Sequence, residues 1–157
     1  MRFLDYDIVF QEVPDETTLA INISGCPHHC LGCHSPQLWL DQGEVLTEQV
    51  LDILAEKEVR ATFFLRCRPN HEAQIRREIR EGHTIANHSY SHKIREVYRS
   101  ADSCIDEVRR QQQWLSETFG VTPEIYRFPG GSPTARGEKA AIAAALAADG
   151  LGYVDWN

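Results

Sequence analysis

From residue 47 to the end of the sequence, helix-type and strand-type segments take turns, and this alternation leaves few folds open. Thr47 is a plausible N-cap for a helix through Glu58 that places Val50, Leu51 and Leu54 on one face. Residues 60–65 form a short buried-type strand, Pro69 can begin the next helix, and Gly82 can end it. A short strand at 84–86 leads into a histidine-rich segment. Ser100 then caps a long helix with an apolar stripe of Ala101, Ile105, Val108, Leu115 and Phe119, and Gly120 stops it. A strand at 125–128, a helix at 138–148 and a strand at 153–155 complete the series. The expected class is α/β: an incomplete parallel sheet, open or barrel-like, with helices outside it. Ahead of it stand two short strands, at 7–13 and 18–23, and a loop rich in Gly, Pro, Cys and His at 25–36.

Charge divides the chain more sharply than length does. The 157 residues fit a one-domain length, yet residues 1–54 carry a balance of −8 and the rest a balance of +1. Such a step is one mark of a junction. The net charge of −7 argues against a nucleic-acid binder. No apolar run approaches the roughly 18 residues of a membrane helix. The opening Met1-Arg2-Phe3-Leu4-Asp5 has no secretory core, so the expected location is cytoplasmic, with no membrane partner. Of five cysteines, Cys67 and Cys104 stand alone, and an odd count without a signal segment points to a reducing compartment.

The other three cysteines, Cys26, Cys30 and Cys33, are spaced C-x3-C-x2-C on the loop after the second strand. Three thiolates there suit three irons of a four-iron cluster and leave the fourth iron open. The alternatives are zinc, with His28, His29 or His34 as fourth ligand, or no ligand at all. The text around the motif, Asp5 through Pro14 and Asn22 through Pro36, resembles radical S-adenosylmethionine enzymes, closest to the activating proteins of anaerobic ribonucleotide reductase. That resemblance covers about residues 1–46 and implies a [4Fe-4S] cluster, S-adenosylmethionine and a glycyl-radical reductase partner. The glycine-rich cofactor-binding stretch of that family is absent.

A second set of residues lies downstream. His88 and His92, four apart after a strand, can converge on one divalent metal, with neutral imidazole suiting zinc, nickel or cobalt. Alone, the pair reads equally as surface or packing histidines. Together with Ala61-Thr62-Phe63-Phe64-Leu65, Tyr126-Arg127-Phe128-Pro129-Gly130-Gly131 and Gly152-Tyr153-Val154-Asp155-Trp156-Asn157, it resembles the polysaccharide deacetylases of carbohydrate esterase family 4, the NodB-homology domains. The resemblance spans about residues 47–157 and implies removal of N- or O-acetyl groups from an acetylated polysaccharide. By motif, His88 and His92 match the metal-binding histidines and Arg127 the arginine that orients the catalytic base. Pro129 and Gly130 match the groove wall, and Trp156 lies near a groove tryptophan.

The departures bear on activity. The family's Thr-Phe-Asp-Asp-Gly-Pro string is absent. Counting back without gaps from the helix at Thr47 brings Asp41 to the metal-ligand aspartate and Leu40 to the general base. The late leucine-x-histidine motif, which carries the general acid, is expected after residue 157. Three readings follow. One is a deacetylase-like hydrolase of non-peptide carbon–nitrogen bonds, weak or inactive, at 47–157. The second is a cluster protein of the radical S-adenosylmethionine type, built on 1–46. The third is a non-catalytic fusion of the two.

Overall fold

In the computed structural model, which describes residues 2–9, 18–24, 40, 44–45 and 49–155, the chain divides into two units, Met1–Ala61 and Thr62–Asn157. In the first, β1 (Arg2–Val9) pairs antiparallel with β2 (Thr18–Ser24), from Arg2 opposite Ser24 to Val9 opposite Thr18. The register shifts between Phe3 and Asp5. The two-residue β3 (Glu44–Val45) pairs with the other edge of β1. The expected strand at 7–13 thus begins earlier, at Arg2. Acids at 5 and 7 hide the local apolar pattern, and cross-strand pairing decides the conformation instead. Helix α1 (Gln49–Glu56) buries Val50, Leu51 and Leu54, the face that sequence periodicity selects.

The second unit carries the expected α/β architecture. Strands β4 (Thr62–Leu65), β5 (Thr84–Asn87), β6 (Ile125–Arg127) and β7 (Gly152–Val154) form a four-stranded sheet in that order, every pairing parallel. Parallel neighbours need crossover connections, and helices supply them. A 3₁₀ turn at Pro69–His71 and α2 (Glu72–Arg80) link β4 to β5. The link from β5 to β6 holds α3 (Ile94–Val97) and α4 (Ala101–Phe119). A 3₁₀ segment at Ser132–Glu138 and α5 (Lys139–Ala148) link β6 to β7. Sequence periodicity misses α3 because four residues make barely one turn, too short to repeat a pattern.

Helix α4 starts and stops where its sequence says. Ser100 Oγ accepts the Ser103 N–H at 3.1 Å, and Gly120 ends the helix in the left-handed region at φ 71°, where a Cβ is costly. One apolar core ties α4 and α5 to the sheet: Val97, Cys104, Ile105, Val108, Tyr126, Phe128, Ile142, Leu146 and Leu151 are all buried. Among the described residues, no helix is long and apolar enough to cross a membrane.

Candidate metal centre

The C-terminal ends of β4, β5 and β6 lie side by side, and parallel sheets place ligands at such ends. His88 follows the last residue of β5 and is held from both sides. Its backbone N–H donates to the Leu65 carbonyl of β4 at 3.0 Å. Its ring Nδ1 lies 2.8 Å from the Arg127 carbonyl of β6. The chain then turns back so tightly that Ser89 and His92, neither of them glycine, sit at φ 64° and φ 59°. The turn brings His92 Nε2 to 3.2 Å from His88 Nε2, with ring centroids 4.8 Å apart.

These contacts fix the protonation chemistry of His88. A carbonyl oxygen only accepts, so the proton of the neutral His88 ring sits on Nδ1, and the Nε2 lone pair faces His92. Burial drives the His88 pKa down to about 4, against the Arg127 carbonyl, which favours the proton; His92, Arg127 and Arg66 add to the depression. The ring is therefore neutral near pH 7, the state in which imidazole binds metals.

The donor set fits a divalent cation. Two zinc–nitrogen bonds of about 2.0–2.1 Å at a tetrahedral angle separate their nitrogens by about 3.3 Å. The observed 3.2 Å matches that spacing. Two lone pairs at this distance repel unless a proton or a cation lies between them. Among the described residues, no group of three or more His, Cys, Asp or Glu side chains could hold a metal ion. The third ligand expected from sequence, Asp41, lies outside the described residues, as do Cys26, Cys30, Cys33 and Trp156. Leu40, at the base position by sequence count, is 60% exposed.

Arg127 contributes its carbonyl to His88 and stacks its guanidinium over Phe64, 4.2 Å from the ring centroid. Burial lowers the Arg127 pKa, and the Asp155 carboxylate opposes that shift. Asp155 also accepts the Ser132 backbone N–H at 2.9 Å. Sequence reading quotes Asp155 but gives it no role, because its relation to Arg127 exists only once β6 and β7 are adjacent. Pro129 and Gly130 continue from β6. The Pro129 carbonyl accepts from Tyr98 OH at 2.9 Å, and Gly130 adopts φ 71°. A Cβ at Gly130 would lie 3.1 Å from Thr134 Oγ1, so bare backbone lines this position.

Sequence reading also misses the support of the histidine turn. Asn87, fully buried, donates to the Val108 carbonyl at 2.9 Å and accepts the Ser89 N–H at 3.0 Å. Ser89 Oγ accepts the His92 N–H at 3.1 Å, and Glu107 grips Ser91. Short polar residues beside the histidines are the available signal, but their partners on α4 are 16 and 21 positions away.

Comparison with known proteins identifies the family and the fold. The profile of the family described as "Polysaccharide deacetylase" matches residues 32–149, a stretch that begins ahead of the division expected at 46/47. YheN of Bacillus subtilis (strain 168) is 31% identical over 134 residues, 81% of this chain and 45% of YheN. A chitin deacetylase of Colletotrichum lindemuthianum is 34% identical over 110 residues, 63% of this chain and 44% of that protein. The catalytic domain of peptidoglycan N-acetylglucosamine deacetylase from Eubacterium rectale ATCC 33656 superposes with TM-score 0.65 at 32% identity, over 74% of this chain and 56% of that one. The chain thus spans about half the length of the relatives it matches. The iron–sulfur cluster, S-adenosylmethionine and the glycyl-radical partner gain no support from these matches.

Proposed function

The chain belongs to the polysaccharide deacetylase family, and on that premise we propose that it is a metal-binding, deacetylase-like hydrolase domain directed at N- or O-acetyl groups of a polysaccharide, with weak turnover. The observation that carries the reading is the pair of imidazole Nε2 atoms 3.2 Å apart, with the His88 proton committed to the Arg127 carbonyl. His88 and His92 would hold a divalent cation such as zinc, cobalt or nickel, and the ungapped sequence count puts Asp41 at the family's metal-ligand aspartate. Such a cation would supply Lewis-acid polarisation of an acetyl carbonyl and acidification of water toward pKa ~7.

The other residues position and wall the site. Arg127, stacked on Phe64 and paired electrostatically with Asp155, matches by motif the arginine that orients the family's catalytic base. Pro129 and Gly130 present backbone to the substrate, the Gly130 N–H toward a developing oxyanion, and Trp156 lies near the family's groove tryptophan in the sequence. Weak turnover follows from Leu40, since an aliphatic side chain takes no proton and loss of one acid–base group forfeits roughly 10²–10⁴ in rate.

Elemental analysis after zinc dialysis tests the assignment. Wild type is expected to retain one equivalent of zinc more than a His88→Ala/His92→Ala variant. Equal zinc content in the two would overturn it. Acetate release from a chitin oligosaccharide should stay within about tenfold of the double variant's rate.

A further inference from the structure

The histidine turn holds His92 in a conformation it would not choose, and one carboxylate on α4 braces it. Both the backbone N–H and the hydroxyl of Ser91 donate to Glu107 Oε2, each at 2.7 Å. The same hydroxyl accepts the Lys93 N–H at 3.2 Å. Glu107 therefore fixes the residue before His92 directly and the residue after it through Ser91. On the far side, Ser89 Oγ holds the His92 N–H. Glu107 is only 8% exposed, and its second oxygen lies 3.4 Å from Arg110 Nη1. Arg110 in turn lies over the Tyr90 ring, 4.3 Å from its centroid, so the clamp is itself held in place.

A left-handed, non-glycine residue costs about 1–2 kcal/mol and persists only where its surroundings over-determine it. Two short bonds to an ionised acceptor are of the strong kind. With the brace gone, Asn87 still ties the start of the 89–92 turn to α4 and Arg110 still lies over Tyr90, but neither holds Ser91 beside His92.

Resting on the metal-site reading above, we propose that Glu107 is a positioning residue for the cation site: by clamping Ser91 it keeps His92 Nε2 opposed to His88 Nε2, and so sets the affinity for a divalent cation. Outer groups that orient metal ligands typically control 10–100-fold in affinity. Glu107 bonds to Ser91, so its effect on His92 travels through the turn.

The test is cobalt(II) titration of the full chain, followed by visible absorption and by competition with zinc. The histidine component is read in bands free of the near-ultraviolet thiolate-to-cobalt charge transfer that a cysteine site would give. Glu107→Ala should weaken this component about 10-fold or more and alter its visible spectrum. Glu107→Gln, which keeps an acceptor for Ser91, should restore affinity to within about threefold, and Ser91→Ala should fall between them. Gln113→Ala, on the exposed side of α4, should match wild type. Thermal melting in chelator establishes that each variant folds.

Affinity in Glu107→Ala within twofold of wild type, with an unchanged spectrum, would overturn the proposal. If Glu107→Ala does not fold, Ser91→Ala decides: wild-type affinity there overturns it equally. A wild type whose cobalt component survives in His88→Ala/His92→Ala would instead sink the metal-site reading, and the role of Glu107 with it.

Discussion

Two turns leave the C-terminal ends of neighbouring strands, residues 88–92 after β5 and residues 128–131 after β6, and they solve one geometric problem in opposite ways. Both need left-handed backbone. The second uses Gly130 at φ 71° and Gly131 at φ 81°, where no Cβ resists. The first uses Ser89 at φ 64° and His92 at φ 59°, at about 1–2 kcal/mol each. The glycine turn is held by its own Gly131 N–H to Phe128 carbonyl bond, by Thr134 Oγ1 on the Gly130 carbonyl and by Tyr98 on Pro129. The histidine turn is braced by Asn87, Ser89, Ser91 and Glu107. On the proposed metal-site reading, strain is retained where a side chain is needed to meet a cation, and glycine is used where bare backbone forms the surface.

The comparison breaks most visibly at Asn87. Asn87→Ala leaves the Ser89 N–H without its buried acceptor and the Val108 carbonyl without a donor, and should cost about 3 kcal/mol in urea unfolding. A loss below about 1 kcal/mol would show that the turn does not depend on this brace.

Partnered burial at Asn87 has a counterpart in unpartnered burial on α2. Glu78 is 8% exposed and its Oε2 has no hydrogen-bond partner among the described residues. Burial raises its pKa to about 7. A carboxyl raised in this way favours the folded state while protonated in both states. Stability should therefore be highest below about pH 4.5, fall as pH rises to about 7, and level off beyond. Glu78→Gln should remove that slope and gain about 2 kcal/mol at pH 8. An unchanged pH profile would contradict it.

The glycine turn is sharpened by Gly130→Ala, which adds a Cβ 3.1 Å from Thr134 Oγ1 at positive φ and should cost about 1–2 kcal/mol. Gly137→Ala, where a Cβ meets nothing within 4 Å among the described residues, should stay within about 0.5 kcal/mol. The smallest effect belongs to His92→Gly. Relief of the left-handed strain against the added chain entropy of glycine should leave stability in chelator within about 1 kcal/mol of wild type. A loss above about 2 kcal/mol would mean that His92 is there for packing.

Much of the fold is legible in the sequence, because its signals are local. Ser100 and Gly120 mark the ends of α4, and Val50, Leu51 and Leu54 mark the buried face of α1. The parallel sheet follows from the alternation of elements. The short α3 and the 3₁₀ segment at Ser132–Glu138 are illegible, since neither repeats a period. At the candidate site, His88, His92 and Arg127 are the residues that the motif singles out. Asn87, Glu107 and Asp155 are not, because each acts on a partner made near by strand order or by helix packing. No spacing rule links Ser91 to a glutamate 16 residues on.

Nitrogen-15 NMR of the imidazole rings during zinc addition tests the shared-cation geometry most directly. One equivalent should shift Nε2 of both His88 and His92 together, while Nδ1 of His88 keeps its proton on the Arg127 carbonyl. Zinc that moves His88 Nδ1, or that leaves either Nε2 unshifted, would contradict the account.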